Sequence, residues 1–165
     1  MTNAQHPGPE PSSISGEEGP LAVGRFCREL VERLGMELKV ETTETEGTIT
    51  VNLSGADRSY LLSNTAALLN SLEYLVNKAF RTGKGSRIGM ILFDSEDYRH
   101  HRQAELTLLA EMAAKKVLAQ RRPLTLQPMI PRERRIVHLA LAEVAGVRSQ
   151  SDGEGDNRSI TIYPS

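Results

Sequence analysis

Apolar residues recur at helical spacing from Val23 to Leu34, with Val23, Phe26, Leu30 and Leu34 as the stripe and Cys27 and Val31 widening it. Arg25, Arg28, Glu29, Glu32 and Arg33 fill the other side, and Gly35 offers a left-handed stop. Met36, Leu38 and Val40 then alternate with polar residues, Thr43 to Gly47 makes a turn, and Ile49, Val51 and Leu53 alternate again. Two half-buried strands so close together predict an antiparallel hairpin. A short helix is expected around Arg58–Leu62, followed by a turn. Leu68, Leu72, Leu75, Val76 and Ala79 mark one face of a helix from about Ala67 to Arg81. Beyond a glycine-rich connection, Arg81 to Ser86, the continuous apolar run Ile88–Phe93 predicts a strand buried on both faces. Helix, strand, strand, helix, helix, strand is the order of a three-stranded sheet with helices on one side, ending near Asp94.

A second unit follows. Asp94 or Ser95 is placed to cap a helix from about Asp97 to Gln120, with Glu96 and Asp97 in its first turn favoured by the dipole. Leu106, Leu109, Ala113 and Val117 form its expected inner stripe, and Pro123 stops it. Leu124 to Leu126 reads as a short strand. Pro131 suits a first helical position, opening a helix through Val144 with Ile136, Leu139, Ala140 and Val144 inward. Val147 to Ser151 and Arg158 to Tyr163 form a closing hairpin around a turn at Asp152–Asn157. The fold class is α+β.

Composition changes the picture at two places. Residues 1–20 hold Pro7, Pro9, Pro11 and Pro20 with three glycines and almost no large apolar side chains, so they read as a disordered tail. They lack the basic start and apolar run of a signal peptide, and no later stretch has the length of a membrane span. The single cysteine, Cys27, excludes an internal disulfide and fits a reducing, cytoplasmic setting. The net charge of −1 conceals an uneven distribution: residues 99–148 carry ten Lys and Arg against four Glu. A basic region in a near-neutral chain is the footprint of polyanion binding, or else a solvated helix face.

Within that region Glu133-Arg134-Arg135-Ile136-Val137-His138 places an arginine and a histidine four residues apart, on one face of the helix that Pro131 opens. A guanidinium forks onto phosphate, and a neighbouring imidazole bonds or stacks on a sugar or base. Arg135 is a supporting phosphate contact, Arg158 of the closing hairpin is expected near the same surface, and Lys115, Lys116, Arg121 and Arg122 extend the track. The ordinary alternative for each is a solvated surface cation. His100 and His101 point about 100° apart on a helix and have no partner with metal-site spacing, so no metal is expected. Cys27, inside an apolar stripe, reads as an inert core thiol. Without tryptophan and with few other aromatics, base stacking is scarce and affinity should be mostly electrostatic. There is no phosphate-binding glycine-rich loop, metal constellation or nucleophile with a paired base, so neither catalysis, a cofactor nor a small-molecule substrate is expected.

Several stretches together resemble a known family: Ser71-Leu72-Glu73-Tyr74-Leu75-Val76-Asn77, Asp94-Ser95-Glu96-Asp97-Tyr98-Arg99, Arg122-Pro123, and Gln127-Pro128-Met129 leading to Glu133–His138, followed by Ser151–Gly155 and Arg158. From about Leu21 onward the chain is similar to the Jag family of bacterial proteins, which join a type II KH domain to an R-3-H domain, a module that binds single-stranded nucleic acid. The resemblance implies a KH-like domain over residues 21–95 and an R-3-H domain over residues 96–165. It also implies single-stranded RNA or DNA as partner, and a small KH-domain protein or a second copy as an alternative one. Through that alternative the KH half would dock a partner in the control of cell envelope growth or division. One departure concerns the KH loop. The Gly-x-x-Gly that lets backbone approach phosphate is replaced by Ser63, Asn64, Thr65 and Ala66, whose side chains at Ser63 and Ala66 should obstruct that approach.

Overall fold

The computed structural model describes residues 19–81 and 88–165. Two compact units divide at Glu96/Asp97. The first contains α1 (Gly19–Arg33), β1 (Leu38–Thr45), β2 (Thr48–Gly55), α2 (Arg58–Leu61), α3 (Ser63–Arg81) and β3 (Ile91–Asp94). The second contains α4 (Tyr98–Gln120), β4 (Leu124–Thr125), α5 (Pro131–Ala142), β5 (Val147–Asp152) and β6 (Ser159–Pro164), with a single 3-10 turn at Gly155–Asn157. Each unit holds one three-stranded sheet, and the class is α+β. Residues 1–18 of the expected tail, and residues 82–86 of the expected connection, lie outside the described residues.

In the first unit β2 is central. It pairs antiparallel with β1 and parallel with β3, where Ile49↔Ile91 and Val51↔Phe93 stand side by side. The hairpin turn is tighter than its polar residues suggest: Thr45 pairs with Thr48, leaving only Glu46 (φ 50°) and Gly47 (φ 75°) in the left-handed geometry of a two-residue turn. Ile49, Val51 and Leu53 of β2, Ile91 and Phe93 of β3, Val23, Cys27 and Val31 of α1, and Leu69, Leu72 and Val76 of α3 make the core. The strand expected over Ile88–Phe93 shortens to Ile91–Asp94. Met90 is exposed and only alternate residues of β3 are buried, because helices cover one face alone. A Cβ at Gly89 would overlap the Gly47 carbonyl oxygen, so the chain before β3 passes hard against the hairpin turn.

Side chains of α3 dock β3. Asn77 donates to the Ile91 carbonyl (2.7 Å), and a Glu73 carboxylate oxygen accepts the Phe93 amide (2.9 Å). These two bonds satisfy backbone groups that an edge strand would leave open. Helix faces differ in detail from the expected stripes. The helix α1 reaches back to Gly19 and Pro20, both assigned to the tail by composition, since proline is tolerated in a first turn. Phe26 and Leu34 are exposed, Phe26 resting edge-on against Phe80 at 5.4 Å. Leu75 and Ala79 also face outward, and Leu69 takes their place. Burial pushes the Cys27 thiol up to about 11, which suits a core residue.

Neither Asp94 nor Ser95 caps α4. Asp94 accepts the Ser95 amide (2.8 Å), while the buried Ser95 hydroxyl donates to the Leu53 carbonyl (2.7 Å) within the first unit. Glu96 and Asp97, expected in the first helical turn, precede it with left-handed φ values of 49° and 58°.

The second unit packs α4 and α5 on an antiparallel sheet of order β4-β6-β5. Its core is Leu106, Ala110, Ala113, Ala114 and Val117 of α4, Met129, Val137 and Leu141, and Ile160 and Ile162 of β6. The inner face of α4 is thus mostly alanine, which lets α5 come close, and Leu109 is displaced outward. On α5 the buried line is Glu133, Val137 and Leu141; Ile136, Ala140 and Val144 sit at its margin and Leu139 is exposed. The helix ends at Ala142 rather than Val144.

Candidate nucleic-acid interface

Pro131 begins α5 after Ile130, whose extended backbone (ψ 157°) is the conformation required before a proline. No side chain caps this end. Instead the first turn is pinned from inside. Glu133 is buried, and Arg102 of α4 donates to it through Nε at 2.8 Å while also reaching Glu105 at 3.2 Å. With Glu133 turned inward, Arg134 and His138 emerge on an adjacent face, both half-buried.

The peptide of Met129 links the cationic residues of this face. Its amide donates to the Arg158 carbonyl (3.1 Å), and its carbonyl accepts from Nη1 of Arg134 (2.6 Å). One arginine side chain and the backbone of the other are therefore fastened to the same buried residue. Arg134 keeps its remaining guanidinium donors, and among the described residues Arg134, Arg135 and Arg158 form no ion pair.

His138 is held by β5. Ile160 and Ile162 of β6 face the core, and their register partners Ser151 and Ser149 therefore point to the same side. That brings Ser149 Oγ to 2.8 Å from Nδ1 of His138 and Ser151 Oγ to 3.0 Å from Nε2. Both ring nitrogens are thus engaged by serine hydroxyls within the protein. Burial lowers the His138 pKa below histidine's ordinary 6.5, and the guanidiniums of Arg134 and Arg158 push it further down. Both effects favour the neutral form of the imidazole.

The structure thus brings Arg134, His138 and Arg158 together. Arg135 is exposed on the neighbouring side of α5; Lys115 and Arg122, also exposed, lie on α4 and at its exit. None of these three is among the charges acting on His138. Sequence reasoning missed Ser149 and Ser151, although their alternation with Arg148 and Gln150 was a signal that both face one way. On the outer face of the sheet Arg148 lies 4.3 Å from the Tyr163 ring. Among the described residues no group of three His, Cys, Asp or Glu is placed to hold a metal ion, and no helix is long and apolar enough to cross a membrane.

At the loop expected to replace Gly-x-x-Gly, Asn64, Thr65 and Ala66 are all left-handed (φ 49°, 61° and 56°), so the right-handed part of α3 starts after them. The Ser63 hydroxyl donates to the Tyr60 carbonyl (2.7 Å) and the Ala66 amide to the Leu62 carbonyl (3.1 Å). Ala66 is buried, whereas Ser63 is exposed.

Residues 104–164, spanning most of α4 through β6, match the family model of the R-3-H domain. The C-terminal unit of this chain is thus similar to an R-3-H domain. Over 139 residues the chain is 38% identical to an RNA-binding protein KhpB of Clostridium symbiosum, covering 83% of this chain and 62% of that protein. The KhpB of Bacillus subtilis is 29% identical over 139 residues, 83% of this chain and 66% of its own length. That of Lactiplantibacillus plantarum is 27% identical over 148 residues, 90% of this chain and 46% of its own. The chain therefore spans less than two thirds of the length of these relatives.

Proposed function

We propose that this chain binds single-stranded RNA without catalysis, through the face of the R-3-H domain formed by Arg134, His138 and Arg158. The observation that carries the reading is the convergence of Arg134 and Arg158 on one imidazole, with Met129 holding the side chain of the first and the backbone of the second and, among the described residues, no carboxylate paired to either. Arginines on a rigid frame grip phosphate with little ordering cost, which favours a polyanion over a neutral ligand. Arg135, Lys115 and Arg122 add attraction at longer range. The relatives named as RNA-binding proteins support the choice of RNA. In an amide-shift titration of the labelled protein with a short single-stranded RNA, perturbations should concentrate at Met129–Leu139, Ser149–Asp152 and Arg158. Perturbations confined to the first unit would overturn the assignment.

Residues 21–95 are read as the KH-like domain of the pair, whose Ser63–Ala66 segment has given up phosphate binding. A second reading makes this unit a docking surface for a small KH-domain protein or a second copy. It is favoured by Tyr74 and Leu75, both exposed on α3 at the position where an inward leucine was expected. Light scattering of the full chain should then show dimers that Leu75→Lys disperses; a monomer at all concentrations, with no partner co-purifying, removes this reading.

A further inference from the structure

We propose that Ser149 and Ser151 are themselves strand-binding residues, presenting a hydroxyl donor to a phosphate of the bound strand while His138 acts as the positioning residue that holds them. The inference rests on the reading of the Arg134/His138 face as the binding surface and moves the polar contact from the imidazole to the serines.

Proton counting makes the case. A neutral imidazole has one N–H and one lone pair, and each ring nitrogen faces one serine oxygen, at 2.8 Å and 3.0 Å. The serine opposite the lone pair must donate its only proton to the ring. The serine opposite the N–H accepts, and its own O–H stays unspent. Whichever tautomer is present, one hydroxyl proton is left to point away from the ring; if the ring is protonated, both are. Among the described residues neither hydroxyl has a second partner, and both serines are half-buried rather than sealed in the core. A phosphate oxygen, which only accepts, complements this surplus donor.

The surrounding charges favour the same ligand. Arg134 faces the ring from α5 and Arg158 from the segment before β6. On β5 the nearest carboxylate, Asp152, accepts from the Gln150 amide at 2.9 Å. Glu154 and Asp156 of the following turn are exposed and unpaired with Arg158 among the described residues. A phosphate bound between the arginines would offset their effect on the ring, so binding should take up a proton and tighten as pH falls below neutral.

The test is fluorescence anisotropy of a labelled single-stranded 12-mer RNA with the full chain and three variants: Arg134→Ala, Ser149→Ala/Ser151→Ala and Ser149→Thr/Ser151→Thr. The alanine pair should bind about tenfold more weakly or worse, as expected for loss of a hydrogen bond to a charged group. The threonine pair, which keeps both hydroxyls and suits a strand, should recover most of the loss. Direct contact by the imidazole makes the opposite prediction, since alanine would free both ring nitrogens and affinity would hold or rise. If Arg134→Ala weakens binding and the alanine pair does not, the serine inference alone is overturned. If all variants bind like wild type, the face itself is wrong. Should the alanine pair unfold, the wild-type protein decides: the Ser149 and Ser151 methylene resonances must shift saturably with RNA, and unmoved resonances overturn the proposal.

Discussion

Arg102 of α4 and Glu133 of α5 meet with the guanidinium Nε 2.8 Å from a carboxylate that is almost wholly buried. Among the described residues the second oxygen of Glu133 is buried without a hydrogen-bond partner, and Arg102 is the cation paired with this carboxylate. Glu133 immediately precedes Arg134, and the bridge therefore fixes the turn that presents the cationic face. Each partner's removal should be costly in a different way.

Arg102→Ala strands the Glu133 charge and should destabilise the second unit by roughly 2–3 kcal/mol, below the range for fully buried pairs because Arg102 is a third exposed. Adding Glu133→Gln to that variant removes the stranded charge and should recover part of the loss. Urea denaturation of the two variants measures this; a double variant less stable than Arg102→Ala would contradict it.

Three successive left-handed residues precede the regular part of α3, and Thr65 is the most strained of them because it is β-branched. Thr65→Gly should stabilise the first unit by about 1 kcal/mol through relief of that strain. Ala66→Gly relieves similar strain but removes a buried methyl group, and should gain little or nothing. Thermal melting of the pair of variants separates strain from burial.

Binding should weaken with salt. Arg134, Arg135 and Arg158 neutralising three phosphates give a slope of log affinity against log salt of about −2, at roughly −0.7 per phosphate on a single strand. Arg158→Ala should reduce the magnitude of that slope by about 0.7. An unchanged slope would show that Arg158 touches no phosphate.

His138 offers a pH signature. Its folded pKa lies below the ordinary 6.5, chiefly through burial and then through Arg134 and Arg158. Below 6.5 the unfolded chain binds the proton more readily than the folded one. Stability from this group is thus full above about 6.5 and declines as pH falls toward the folded value. Proton NMR should find His138 titrating below a histidine's ordinary range, and Arg134→Ala should move it upward. A His138 that titrates above 6.5 in the free protein would contradict the geometry.

Much of the fold was legible because apolar periodicity reports which elements form and in what order. It reports helix faces less well. Leu75 and Leu109 sit within one position of the buried line and Leu139 two positions from it, and a helix stripe cannot reveal which margin a sheet will cover. The alanine face of α4 was hidden for a related reason: Ala110 and Ala114 are small enough to read as neutral, yet their size is what admits α5. That Arg134 and His138 share one face of α5 was readable from their spacing. The supports of that face were not, since the Arg102–Glu133 bridge joins residues 31 apart and the serine contacts depend on the register of β5 with β6. Charge excess, finally, counted Lys115 and Arg122 with Arg134, whereas only Arg158 joins Arg134 in acting on the imidazole.

The central claim is that two tethered arginines grip a single strand. Anisotropy titrations of a labelled single-stranded RNA with the wild-type chain and with Arg134→Ala/Arg158→Ala, at one fixed salt concentration, test it most directly. The account predicts a loss of at least about a hundredfold with the melting profile retained, since each of the two charge-assisted contacts contributes about 1.5 kcal/mol or more. A folded double variant that binds the RNA as tightly as the wild type would contradict it.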